Sequence, residues 1–231
     1  MNQKGQLVKI FSTSVKAKIL LVAAIPTVFF LAVCVVALLS INSMQAANRQ
    51  VEHTYNVIGL ATGAHENALM AQSGARGFAL TADEAQFVSF EQGSASVRTN
   101  LETLQQLVSD NPAQVERASE ALRLFNEWVR VSPDQSIAAR RSAVTDEQLT
   151  QFVKNYAGFG GSQGFSAFRS IIQAMVSIEE ELLAQRSADS ASATMTTYYV
   201  VGAGIALALG LGSIFAWIIG SSVSSPLSRL T

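Results

Sequence analysis

Two long uncharged stretches constrain this chain more than any other feature of its sequence. The first runs from Ile19 to Ile41 and the second from Tyr198 to Ile219. Each matches the roughly 20 apolar residues that a helix needs to cross the hydrocarbon core of a bilayer. The composition agrees, since 49% of the residues are hydrophobic and only 14% are charged. The sequence therefore predicts transmembrane helices at 19–41 and 198–219.

The first stretch also resembles a secretory signal peptide, because four lysines precede it. Its apolar run is longer than the roughly 7 to 15 residues of a signal peptide core, and the small residues around Ala46 make only a weak cleavage site. Pro26 lies within the run, where a kinked transmembrane helix tolerates it. We interpret the stretch as an uncleaved anchor.

The distribution of charge predicts the topology. Four lysines precede the first span and Arg229 follows the second, whereas the enclosed segment holds 11 basic and all 17 acidic residues, a formal charge of −6. By the positive-inside rule, the tail 1–18 and the end 220–231 face the cytoplasm, and residues 42–197 face the periplasm or exterior. We expect a multi-pass protein of the bacterial inner membrane. Cys34 is then an intramembrane packing residue.

The enclosed segment has the periodicity of helices. The sequence predicts a first helix from Asn42 to about Leu80 and a capping box over Thr81–Glu84 that begins the second. Asn111 and Pro112 are typical of the start of a third helix. A glycine cluster at 158–164 separates it from a fourth. At Pro133 the third helix either kinks or breaks, and the kink is the preferred interpretation.

Apolar residues recur at steps of three and four in all four helices, which indicates one inward face on each. The predicted faces are Val51, Tyr55, Ile58, Thr62, His65, Leu69, Gln72 and Arg76 in the first helix; Phe87, Phe90, Ser94, Val97, Leu101, Leu104 and Val108 in the second; Val115, Ala118, Leu122, Phe125 and Val129 in the third; and Phe168, Ile171, Met175, Ile178 and Leu182 in the fourth. The predicted fold is all-α, a membrane-anchored up-down-up-down four-helix bundle between two transmembrane helices.

The segment resembles a known sensory family. Residues 73–84, with the sequence Ser-Gly-Ala-Arg-Gly-Phe-Ala-Leu-Thr-Ala-Asp-Glu, together with residues 101–112, Trp128 and residues 181–186, are similar to the CHASE3 extracytoplasmic sensory domain. The resemblance covers most of residues 45–195. It implies a bundle sensor of the kind found in chemoreceptors, histidine kinases and cyclic-dinucleotide enzymes.

Residues 223–231 resemble the opening of a HAMP linker, on the basis of Pro226, Leu227 and Leu230. Such a linker carries helix motion to an output domain, so the resemblance implies a signal-relay role for Pro226 and Leu227. It also implies a receptor truncated at its output end. The stretch departs from the pattern because no basic residue precedes the Pro-Leu pair.

The polar members of the first helix's predicted inward face are the candidate ligand-binding residues, namely Thr62, His65, Gln72 and Arg76. Buried polar groups need partners. Either these side chains bond one another or the acids at 179–181, or they line a pocket for a small ligand or a pH sensor. Arg76 has two interpretations of its own, an anion-binding residue or a tie across the first helical hairpin. Trp128 is interpreted as a core anchor rather than a ligand contact.

Two other patterns, one typical of hydrolases and one of metal sites, are weaker indications of function. Residues 160–164 fit the Gly-x-Ser-x-Gly pattern of hydrolases, but no strand precedes Ser162 and both histidines lie in the first helix, so a tip loop is preferred. His53 and His65 lack metal-site spacing, and the adjacent acids at 179–181 point to different sides of a helix. We expect no catalytic residue, no metal, no cofactor and no nucleic-acid partner.

The favoured function is the input module of a methyl-accepting chemotaxis receptor. The expected partners are the lipid bilayer, a second copy in a homodimer with the second spans packed together, a small-molecule or protein ligand at the periplasmic bundle, and cytoplasmic signalling proteins reached through the output domain. The receptor resemblance implies the homodimer. Gly202, Gly204, Gly210 and Gly212 either permit the close approach of the helices or reflect the general frequency of glycine in membrane helices. The alternatives are the input module of a histidine kinase or diguanylate cyclase, and a stand-alone membrane scaffold.

Overall fold

The computed structural model describes residues 15–159 and 162–227, with side chains at 24–159 and 163–217. This part of the chain is helical and contains no strand, which confirms the all-α fold class. The elements are α1 (Val15–Thr81), α2 (Glu84–Leu107), α3 (Pro112–Val131), α4 (Pro133–Ser142), α5 (Asp146–Asn155), a 3₁₀ helix (Tyr156–Phe159) and α6 (Ser162–Leu227). The chain divides into two compact units, one of residues 50–186 and one of residues 1–49 with 187–231.

The unit of residues 50–186 is built around a single apolar core to which α1, α2, α3 and α6 all contribute. The predicted faces of α2 and α3 are confirmed: Val97, Leu101 and Leu104 are fully buried in α2, and Phe125 is fully buried in α3. In α6, Phe168 and Met175 are buried as predicted, Ile171 is half-buried and packs against the core, and Ile172 is buried beside it.

The predicted inward face of α1 is wrong by one residue. Tyr55, Thr62, Leu69 and Arg76 are exposed, and the other four predicted positions are half-buried. The residues that face the core lie one position earlier in the sequence and are mostly alanines: Thr54, Val57, Ala61, Ala64, Ala68, Ala71, Ala75 and Phe78. Small side chains let α1 approach its neighbours closely, so this face is favoured over the bulkier one beside it.

Close contact between α1 and α2 depends on two glycines. A Cβ atom at Gly74 would lie 2.6 Å from the backbone nitrogen of Phe90 and 2.7 Å from the backbone oxygen of Gln86. A Cβ atom at Gly93 would lie 2.7 Å from the backbone oxygen of Asn67. Neither position leaves room for a side chain, so the two helix backbones are in direct contact at these points.

The turn between α1 and α2 differs from the predicted capping box. Thr81 ends α1, and its hydroxyl donates to the carbonyl of Gly77 at 2.8 Å. Ala82 then takes a left-handed conformation with φ of 58°. Asp83 is the cap of α2, because its carboxylate accepts a hydrogen bond from the backbone nitrogen of Ala85 at 3.0 Å. The box is wrong because α1 continues through the residue that was expected to cap α2.

The start of α3 agrees with the sequence, whereas its end does not. Asn111 caps α3 by accepting from the backbone nitrogen of Gln114, and Pro112 is the first helical residue. At the other end, Ser132 adopts φ −117° and ψ −71°, and Pro133 begins the separate helix α4. The chain therefore breaks at Ser132 instead of kinking, since a proline is accommodated best in a first helical turn.

Helix α5 was not predicted. A capping box begins it, in which the hydroxyl of Thr145 accepts from the backbone nitrogen of Gln148 and the side chain of Gln148 accepts from the backbone nitrogen of Thr145. Phe152, on the buried side of α5, packs against Tyr156 and Phe159 of the 3₁₀ helix. Residues 146–159 thus form a short helix and a 3₁₀ turn with aromatic contacts of their own.

The second unit contains the apolar parts of α1 and α6. The portions Ala24–Thr81 of α1 and Gln163–Trp217 of α6 each include a stretch long and apolar enough to cross a membrane. The hydroxyl of Thr197 donates to the carbonyl of Ser40 at 3.2 Å. Many large apolar side chains of this unit are exposed, including Leu39 and Leu209, as expected of helices that face lipid.

Candidate functional site

A cavity of about 160 Å³ lies among α1, the α3–α4 junction and the 3₁₀ helix. We call it the Arg76 pocket. Its lining residues are Gln72, Ala75, Arg76, Trp128, Ser132, Pro133, Ser136, Tyr156, Ala157 and Phe159. Two of the four candidate ligand-binding residues, Gln72 and Arg76, thus lie together here.

The break at Ser132 shapes this pocket. Because α4 begins afresh at Pro133, both Ser132 and Ser136 border the cavity. The hydroxyl of Ser136 donates to the carbonyl of Pro133 at 3.0 Å, which satisfies a buried group. The opposite wall is aromatic: Trp128 is 4% exposed, and its ring packs 5.0 Å from that of Phe165. Trp128 is therefore both the predicted core anchor and a wall of the pocket.

Among the described residues, Arg76 is the only charged one that lines the pocket. Its side chain is exposed and makes no hydrogen bond or ion pair within the part of the chain that the structure describes. The predicted tie across the first hairpin is made instead by Arg141. The guanidinium of Arg141 lies 5.2 Å from the centre of the Phe78 ring on α1 and 4.2 Å from that of Phe87 on α2. It also lies 3.1 Å from the carboxylate of Glu84 on α2.

Asp134 stands beside the pocket at the start of α4. Burial raises the pKa of its carboxyl above the ordinary value, and the positive charge of Arg98 opposes the rise.

The other two candidates, Thr62 and His65, lie in a separate shallow groove between α1 and α6. The groove is also lined by Arg169, Ile172, Gln173 and Val176. The Nδ1 atom of His65 is buried and has no hydrogen-bond partner among the described residues. The four candidates thus line two separate concavities, and no hydrogen bond between described residues joins them to the acids at 179–181.

A buried polar cluster occupies the end of the bundle at which α3 begins. The side-chain nitrogen of Gln114 donates to the carboxylate of Glu179 at 2.9 Å, and both residues are buried. Arg117 reaches the amide oxygen of Gln114 at 3.5 Å. Sequence reasoning missed this cluster, although Glu179 continues the 3–4 spacing of Phe168, Ile172 and Met175 and so was placed to face the core.

A family model for the CHASE3 domain matches residues 47–189. The chain belongs to the CHASE3 family. The resemblance expected from the motif at 73–84 is confirmed. No curated protein and no solved structure is significantly similar to the chain.

CHASE3 is an extracellular sensory domain found in chemotaxis receptors, histidine kinases and cyclases, and it is a sensory rather than a catalytic family. In this chain the CHASE3 domain contains the Arg76 pocket, the His65 groove and the Gln114–Glu179 cluster. With two helices apolar enough to span a bilayer, the chain is a membrane protein that carries a sensory domain.

The relay residues lie outside the CHASE3 match, whereas Ser162 lies inside it. Pro226 and Leu227 are the last residues of α6, and their side chains are outside the described ones, as is the rest of the HAMP-like stretch. Ser162 begins α6 and is preceded by the 3₁₀ helix and by residues 160–161, which are outside the described part. Ser162 of the Gly-x-Ser-x-Gly pattern is therefore the first residue of a helix, whereas Gly160 and Gly161 are not among the described residues.

Proposed function

We propose that this chain is the sensory input module of a bacterial transmembrane receptor, most directly a methyl-accepting chemotaxis receptor. One observation carries the proposal: a CHASE3 domain over residues 47–189 is enclosed by two helices that are apolar enough to cross a membrane. A sensory domain anchored at both ends has the arrangement that a receptor needs to pass a stimulus across a bilayer. The residues involved in relay are those of α6, ending at Pro226 and Leu227.

The proposed topology places the bundle outside the inner membrane and both flanks inside. It is supported by the lysines before the first apolar stretch and by the net charge of −6 between the stretches. The test is cysteine labelling in intact cells, in a Cys34→Ala background. A membrane-impermeant maleimide should label Glu102→Cys, an exposed position of α2, but not Gln3→Cys. Labelling of both, or of Gln3→Cys alone, would refute the topology.

Signal relay is proposed to occur through a displacement of α6 relative to α1. Both helices contribute residues to each of the two units. Within the apolar unit their side chains meet at a hydrogen bond between Asn48 and Ser190. In the full-length receptor, oxidising an Asn48→Cys/Ser190→Cys pair should lock the helices and change output activity, whereas either single variant should not. Unchanged output in the crosslinked receptor would count against relay through this helix pair.

A homodimer is proposed through the apolar part of α6. In the described structure, a Cβ at Gly204 would collide with the side chain of Val33 of the same chain, but nothing lies within 4 Å of a Cβ at Gly202 or Gly210. These two glycines are eight residues apart, which places them near one face of the helix and open to a second copy. The double substitution Gly202→Leu/Gly210→Leu adds bulk to this face and should lower the yield of crosslinked dimer in membranes. A Leu207→Ile variant is the matched control.

The sequence of the gene distinguishes between the possible types of output domain. CHASE3 domains also serve histidine kinases and cyclases, so either is the alternative. Sequence beyond the codon for Thr231 that encodes a long coiled-coil hairpin would support the chemotaxis receptor. A phosphorylatable histidine helix with an ATP-binding domain, or a cyclase domain, would establish the alternative.

A further inference from the structure

We propose that the Arg76 pocket binds a small organic carboxylate that carries one ring-sized apolar group. Only the role of this ligand as the stimulus rests on the proposed sensory function. The binding itself follows from the size, charge and walls of the cavity.

The size of the pocket sets the size of the ligand. Its volume is about 160 Å³, whereas pockets for drug-sized molecules run from roughly 300 to 1,000 Å³. A cavity of roughly 150 Å³ accommodates one benzene-sized molecule. The pocket therefore suits a single ring or a branched chain of similar bulk, with any polar group placed at its open side.

The charge of the pocket sets the sign of the ligand. Arg76 is the one charged lining residue and has no ion pair or hydrogen bond to a described residue, so its guanidinium is available to a ligand. The fork of donors on a guanidinium matches the two oxygens of a carboxylate. Half-buried Gln72, one helical turn earlier on α1, adds an amide on the same side of the helix. A monoanion is thus favoured over a cation.

The aromatic wall sets the apolar part of the ligand. Trp128 is buried and held by contacts with Phe125 and Phe165, with ring centres 5.6 and 5.0 Å away. Tyr156 and Phe159 come from the 3₁₀ helix, their ring centres 6.4 Å apart. Aromatic faces favour offset or edge-on contact with another flat group. A ring attached to the carboxylate can therefore lie against Trp128 while the carboxylate meets Arg76.

The position of the pocket explains how a bound ligand would affect the arrangement of the helices. Its walls come from α1 on one side and from the segment that leads into α6 on the other. A ligand that contacts both sides stabilises whichever arrangement of these elements brings its contacts together.

Benzoate is the probe, and benzamide is its neutral analogue of the same shape. The full chain is held in lipid nanodiscs with Trp217→Phe, which leaves Trp128 as the single tryptophan. Benzoate should change the emission of Trp128 saturably, and benzamide should bind at least about tenfold more weakly, as the loss of a charge-assisted pair requires. Arg76→Gln should lower the affinity for benzoate at least about tenfold and leave benzamide unchanged.

Two further variants make the test specific. Arg130→Gln removes an exposed arginine outside the pocket and should leave both affinities unchanged. Ala157→Phe enlarges an exposed lining residue and should weaken benzoate and benzamide together. Circular dichroism checks that each variant remains helical.

The proposal is overturned if benzoate gives no saturable response up to about 10 mM, a limit that corresponds to negligible affinity. It is also overturned if benzoate and benzamide bind equally, or if Arg76→Gln binds benzoate as the unaltered chain does. Binding of benzoate without a change in the crosslinking rate of the Asn48→Cys/Ser190→Cys pair would support the pocket and refute relay. The two proposals therefore fail separately.

Discussion

Substitution of Gly74 by alanine tests whether α1 and α2 are in backbone contact. The new Cβ would lie 2.6 Å from the nitrogen of Phe90, whereas ordinary contacts begin near 3.4 Å, so the helices must separate locally by about 0.8 Å. Overpacking of this kind costs about 1 to 3 kcal/mol. The upper end applies because the obstructing atoms belong to the backbone of α2 and have no rotamer to adopt.

Helix propensity acts in the opposite direction. Alanine is more favourable than glycine inside a helix by about 1 kcal/mol. The net effect of Gly74→Ala is therefore a loss of about 2 kcal/mol in the free energy of unfolding. For a chain of this size, this lowers the melting temperature by about 4 to 8 °C.

Gly59 provides the matched control in the same helix. Nothing lies within 4 Å of a Cβ built there. Gly59→Ala should then show the propensity gain alone and raise the melting temperature by about 2 to 4 °C. Thermal unfolding of the three proteins, followed by circular dichroism in detergent micelles, gives the comparison. If Gly74→Ala is as stable as Gly59→Ala, the helices are farther apart than the structure places them.

Two further substitutions concern buried polar groups. Gln114→Leu removes the donor to the buried carboxylate of Glu179 and should lower the free energy of unfolding by about 1 to 3 kcal/mol. Adding Glu179→Leu should recover most of that loss, because no buried charge is then left unpaired. A double variant as unstable as Gln114→Leu alone would contradict this account. Burial raises the pKa of Asp134, so in the fold its ionisation costs stability as the pH rises through that raised value. Asp134→Asn should therefore have a higher melting temperature than the unaltered chain at about pH 7, with the difference vanishing at about pH 3, where the carboxyl is protonated in both states. A difference independent of pH would indicate another cause.

The elements that sequence reasoning found correctly are those whose signals are local. Asn111 and Pro112 determine the start of α3 by themselves, because a side-chain cap and a proline in the first turn need no tertiary partner. The apolar stripe of α2 is equally plain, since no competing stripe of similar length runs beside it. The motif at 73–84 identified the CHASE3 family from the order of its residues alone.

The error in the inward face of α1 arose because two adjacent patterns were both acceptable locally. Helix α1 carries a bulky stripe through Tyr55 and Leu69 and an alanine stripe through Ala61 and Ala68, related by a shift of one residue. The bulky stripe holds the larger apolar side chains but also the polar residues Thr62, His65, Gln72 and Arg76, whereas the alanine stripe is apolar except at Thr54. Packing against α2 favours the small one, since Gly93 meets the backbone of α1 at Ala71. At the end of α1, the helix continues through Thr81, whose hydroxyl bonds back to Gly77, and the cap of α2 is left to Asp83.

The sequence by itself determined that the chain is helical, that it carries two stretches fit for a bilayer, and that its sensory domain is of the CHASE3 type. These follow from composition, periodicity and a motif, which are properties of the chain alone. Only the tertiary structure decided that Gln72 and Arg76 share a pocket while Thr62 and His65 line another groove. That division depends on the break at Ser132 and on the helix of residues 146–155, which bring Trp128 and Tyr156 to α1 from distant parts of the chain.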